Sequence, residues 1–177
     1  MKVRVIAMSL AAAVPATAFA APTAPSCPAA SVLPPELADW ARDASSKTIY
    51  AYGDDLGADW SPLGAARTAL RLHKFESLRY GITPQRKADV YKFGGMIPID
   101  VKNAGRLIVA LDAGAWIDLV RDGAVVKPLA HGHGPACSGI RKMVEFDVTQ
   151  GRYQLQIVNA PTASIHAMAV LRPVRAD

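Results

Sequence analysis

From Val90 to Arg172 apolar and polar residues alternate with the two-residue period of strands. Ile97, Ile99 and Val101 close the run "YKFGGMIPIDV", and Leu107, Val109 and Leu111 form one face of "RLIVAL". "WIDLVR" and "AVVKPL" flank Asp122-Gly123, a strong two-residue hairpin signal. In "MVEFDV" the pattern points Val144, Phe146 and Val148 inward and Glu145 and Asp147 outward. Tyr153, Leu155 and Ile157 share a face of "RYQLQIV", as do Ile165, Ala167, Ala169 and Leu171 in "SIHAMAVL". Turn residues separate the runs at Asn103-Ala104-Gly105, Asp112-Ala113-Gly114, Gln150-Gly151 and Asn159-Ala160-Pro161. Short strands punctuated this regularly predict a mainly β fold: an antiparallel β-sandwich, jelly-roll or Greek-key like.

Upstream the pattern changes. Pro34-Pro35-Glu36 reads as a helix start, and Leu37, Trp40, Ala41 and Ala44 follow at helical spacing. The expectation is a short N-terminal helix that packs Trp40 on the body. The segment "LGAARTALRLHKF" has two readings, a helix behind Ser61-Pro62 or a strand. As a strand, Thr68, Leu70 and Leu72 face in while Arg67, Arg71 and His73 face out. The strand is favoured because strands follow it. No internal repeat is visible, and residues 36–177 read as one sandwich domain after an Ala/Pro/Ser-rich extended lead-in over 21–35.

The first residues, "MKVRVIAMSLAAAVPATAFAAP", place Lys2 and Arg4 before an apolar run and Ala18-Phe19-Ala20 at a small-x-small site. This is the pattern of a signal peptide over 1–20, cleaved near Ala20-Ala21, so a periplasmic or secreted protein is expected. No later run has the length of a membrane span. Outside the cytoplasm, Cys27 and Cys137 are expected to form a disulfide. The formal net charge is +5, and loss of the leader lowers it by about two. The basic residues are spread along the chain, so nucleic acid is not an expected partner.

Chemistry concentrates in "HGHGPACSGIRK", residues 131–142. His131 and His133 alternate and make half of a site for iron, zinc or copper, with His73, His166 or a carboxylate as a third ligand. The plainer reading is a corner in which Gly132, Gly134, Gly139 and Pro135 shape the backbone, Cys137 anchors it, and the histidines bond open carbonyls. No cofactor is expected under that reading; Fe or Zn belongs to the first. Cys137 beside Ser138 lacks the elbow motif of a nucleophile. Arg141 and Lys142 follow directly and suit an anion. Trp116 and Asp118 share a strand face, and Asp118 suggests that this face meets water. Asp54, Asp55 and Asp59 offer oxygens without the spacing of a calcium loop, and Trp60, Tyr50 and Tyr52 beside them suit core packing or a sugar platform.

Residues 90–172, and the block "HGHGPACSGIRK" above all, resemble small exported bacterial proteins that are sometimes named homogentisate 1,2-dioxygenase. That enzyme name implies iron held by two histidines and a glutamate in a cupin-type core. Here His131-Gly132-His133 leads into Gly134-Pro135-Ala136-Cys137, and the next carboxylate is Glu145, beyond the loop. The local motif therefore departs from the implied triad, and no catalytic residue is carried over. The spacing of Phe146, Val148, Gly151, Tyr153 and Leu155 is also similar to pre-peptidase C-terminal sandwich modules of secreted bacterial proteins. The expected function is non-catalytic binding of a partner or envelope component. The alternatives are a metal-dependent oxidoreductase using His131 and His133, and an accessory module of an exported enzyme system.

Overall fold

The computed structural model describes residues 27, 32–42, 45–53 and 61–173. The expected signal peptide, the expected lead-in apart from Cys27 and Val32–Pro35, and the acidic and aromatic stretch Asp54, Asp55, Asp59 and Trp60 lie outside the described residues.

The fold is mainly β, in two sheets. The strands are β1 (Ser45–Tyr50), β2 (Thr68–Arg71), β3 (His73–Lys74), β4 (Phe93–Val101), β5 (Gly105–Leu111), β6 (Trp116–Arg121), β7 (Ala124–Val126), β8 (Ala130–Gly132), β9 (Lys142–Val148), β10 (Gly151–Ala160) and β11 (Ser164–Arg172). One sheet runs β1-β2-β11-β5-β9-β8, the other β3-β4-β10-β6-β7. All pairings are antiparallel except β1 with β2. The "RTALRLH" segment is strand, with Thr68, Leu70 and Leu72 buried and Arg71 and His73 exposed.

The inward positions of both sheets meet in one core. Leu107, Val109, Leu111, Val144, Phe146 and Ile165 come from the first sheet, and Ile97, Ile99, Ile117, Leu119, Leu155 and Ile157 from the second. Most of the turns marked by the sequence do not reverse the chain within a sheet. They carry it from one sheet to the other, from β4 to β5, β5 to β6, β9 to β10 and β10 to β11. Asp122-Gly123 is the tight hairpin that its dipeptide predicts, joining β6 to β7 with φ of 49° and 75°, both left-handed.

Each sheet is also covered on its outer face, which explains strands that are apolar on both sides. In β5 Ile108 and Ala110 are as buried as the inward residues, because a second cluster joins them to Leu37, Trp40, Ile140 and Met168. Leu37 and Trp40 come from Pro35–Ala41, which is a seven-residue 3-10 helix and not an α-helix. Its three-residue turn stacks positions three apart, so Leu37 and Trp40 are buried together while Ala41 is exposed. Arg172 fastens this helix to the sheet by pairing with both Glu36 and Glu145.

Residues 75–92 form a strap over the outer face of the second sheet. Tyr80 donates its hydroxyl to Ile157 O at 2.8 Å, Gln156 donates to Ile82 O at 3.0 Å, and Asp118 accepts from the Gln85 amide at 2.9 Å. Asn159 accepts from the Asp89 amide and donates to Lys87 O. Among the described residues no helix is long and apolar enough to cross a membrane.

Candidate functional site

The segment between β8 and β9 is built as a pinned corner. Cys137 is bridged to Cys27 with a Cα–Cα distance of 5.4 Å. Cys137 itself has a left-handed φ of 62°, and Gly139 follows at 75°. Trp40 donates its indole N–H to Ser138 O at 2.9 Å. Ser138 Oγ donates to Pro135 O and accepts from the Ile140 amide, closing the turn on itself. Gly134 is needed for space and not for its φ, because a Cβ there would collide with Ile140 Cβ. Gly132 faces open space and carries no such constraint.

The two histidines differ. His133 Nδ1 lies 2.8 Å from Arg141 O. A carbonyl oxygen only accepts, so Nδ1 carries the proton and Nε2 is left to face outward. His131, on the edge strand β8, is exposed. Together with Glu145 they line a shallow depression of about 210 Å³. Glu145 is committed there to Arg106 and Arg172, at 3.5 and 3.1 Å. Among the described residues no three His, Cys, Asp or Glu side chains stand close enough to hold a metal ion. The donor set for the iron triad implied by the dioxygenase resemblance is thus not assembled around these histidines. Neither proposed distant ligand is drawn in: His73 bonds Ala51 O, and His166 Nδ1 pairs with Asp112 at 2.8 Å.

A different grouping does form. Trp116, Arg141, Lys142 and His133, all singled out in the sequence, line one cleft of about 360 Å³ together with Arg86 and Asn159. Arg86 comes from the strap, Arg141 from the end of the corner, Lys142 from the start of β9 and Trp116 from the start of β6. The Lys142 ammonium stands 5.9 Å from the centre of the Trp116 ring. No carboxylate lines the cleft. Among the described residues, no carboxylate pairs with Arg86, Arg141 or Lys142. The nearby acids are occupied: Asp112 by His166 and Glu145 by two arginines.

Asp118 belongs behind this cleft. It is 2 % exposed, contrary to the wet face its charge suggested. Its two oxygens accept from Trp116 Nε1 and the Gln85 amide, each at 2.9 Å, so it orients the indole and anchors the strap. Beneath the same strap burial pushes the Tyr80 hydroxyl well above the ordinary tyrosine range. Arg86 is the member that sequence reasoning missed. It lies 55 positions from Arg141, and only the path of the strap brings the two together.

No known protein family matches the chain, and no curated protein matches it significantly.

Proposed function

We propose that the protein is an exported β-sandwich of jelly-roll or Greek-key type that does no chemistry of its own and binds a partner or envelope component through the Trp116 cleft. One observation carries the reading: three cationic side chains, Arg86 from the strap and the consecutive Arg141 and Lys142, line a cleft whose lining has no carboxylate. Such charges repel one another, and this cost is offset when an anion enters. The indole adds a flat apolar wall, the pairing of features common in ligand sites. The disulfide and the leader-like first twenty residues support an oxidising compartment outside the cytoplasm.

Two measurements test this. Intact mass of protein made with its leader should correspond to a chain starting at Ala21. Purified protein should then co-sediment with isolated envelope fragments, and the double variant Arg86→Gln/Arg141→Gln should not. Equal sedimentation of the two would remove the cleft from the binding reading. Elemental analysis of the same preparation addresses the alternative: stoichiometric iron or zinc, lost in His131→Ala and His133→Ala, would make this a metal-dependent enzyme.

A further inference from the structure

Resting on that reading, we infer that the Trp116 cleft is a site for a phosphate monoester, with the phosphoryl group held by Arg86, Arg141 and Lys142 and the ester's organic part against Trp116. The charge decides the class. A carboxylate brings one negative charge and two oxygens in a plane, which one guanidinium fork already satisfies. Here two guanidiniums and an ammonium converge from the strap and from the Arg141-Lys142 pair, the lining holds no acidic residue, and the Asp118 carboxylate behind the indole is turned to Trp116 Nε1 and the Gln85 amide. A monoester phosphate carries a charge near −2 at neutral pH and three terminal oxygens, enough to engage all three groups.

The geometry supports exchange of partners and not only accumulation of charge. Arg86 and Arg141 are exposed, and their side chains have no competing ion pair among the described residues. The Arg141 backbone is tied at both ends, its amide to Leu111 O at 2.8 Å and its carbonyl to His133. The side chain is therefore presented from a fixed point. Lys142 rests over the indole and can swing from the ring to a phosphate oxygen without leaving the cleft. The indole N–H is already bonded to Asp118, so Trp116 offers the ligand its carbon surface and not a donor. His133 also lines the cleft, its ring held by the Nδ1 bond to Arg141 O.

The test is a titration with phenyl phosphate, using benzoate as the ring-matched carboxylate control and inorganic phosphate as the ring-free control. Binding is read by equilibrium dialysis and by tryptophan fluorescence, with Trp116→Phe used to identify the Trp116 component. Phenyl phosphate should saturate one site and bind at least about tenfold tighter than benzoate, as loss of one charge-assisted contact implies. Arg86→Gln/Arg141→Gln should weaken it by about tenfold or more while the urea midpoint stays put. Arg79→Gln, outside the cleft, should bind as the wild type does. Competition by vesicles carrying phosphatidic acid, but not by plain phosphatidylcholine vesicles, would assign the monoester to a lipid headgroup; lack of competition would assign it to a soluble ester. Equal affinity for benzoate, or undiminished binding by the double variant, overturns the inference. Absence of phenyl phosphate binding with persistent envelope co-sedimentation overturns it too, while the broader binding function stands.

Discussion

Replacing Trp40 with phenylalanine tests whether the corner and the 3-10 helix form one structural unit. Trp40 is 2 % exposed and packs with Leu37, Ile108, Ala110, Ile140 and Met168. Phenylalanine keeps an aromatic ring in the same place but loses three things. The N–H bond to Ser138 O goes, worth about 1 kcal/mol net. The missing part of the indole leaves unfilled space against well-packed neighbours, at about 1–2 kcal/mol. The Arg67 guanidinium, 5.4 Å from the ring centre and with its Nε buried without a hydrogen-bond partner, loses part of its stacking surface, at about 0.5 kcal/mol. The expected destabilisation is about 2–4 kcal/mol by urea unfolding at unchanged m. The same substitution in a Cys27→Ala/Cys137→Ala background should cost measurably less, because both anchors hold the same loop and their effects are not additive. A loss below about 0.5 kcal/mol, or strict additivity with the disulfide, would refute the picture of a jointly pinned corner.

Other outcomes follow from single contacts. Gly134→Val should destabilise by about 1–3 kcal/mol or more because its side chain collides with Ile140, whereas Gly132→Ala should change little, and thermal melts of the pair separate crowding from backbone strain. Non-reducing peptide mapping should recover Cys27 linked to Cys137, and for a loop of 110 residues reduction should cost about 4–5 kcal/mol before strain. Because Tyr80 gives up its proton more readily in the unfolded chain than in the fold, its contribution to stability is full below about pH 10 and is lost as pH rises above that; Tyr80→Phe should flatten this alkaline decline in unfolding measurements.

Apart from the short edge strand β8, the strands from 93 onward were legible because part of each faces a common core, so Phe146, Leu155 and their neighbours mark a two-residue period. Turn positions were legible for the same reason, since Gly and Asn interrupt that period. Their destinations were not: a turn dipeptide sets local dihedral angles, while the sheet that receives the next strand depends on distant partners. The exposure of Asp118 was misjudged because polar residues at outward strand positions ordinarily meet water, and nothing local reveals that residues 75–92 lie over them. The corner was read correctly in outline from its glycines and cysteine, but for Gly134 the reason is contact with Ile140 and not a left-handed backbone. Of the cleft, Trp116, Arg141 and Lys142 were visible as chemistry without a common address. Arg86 looked like part of a minor basic pair.

The position of the last two strands has a consequence for how the chain acquires its structure. β10 lies between β4 and β6 in one sheet, and β11 lies between β2 and β5 in the other. Neither sheet can close until residues 151–172 are present, and five of the nine neighbouring pairs join strands that are not consecutive in the chain. Such non-local topology slows folding, since long loops must close before contacts reward them. A nascent chain lacking these strands holds only disconnected fragments of each sheet, so the shared core cannot close. For a protein that we propose leaves the cytoplasm, folding is then deferred by strand order itself until the final segment has emerged on the far side, where Cys27 and Cys137 can meet.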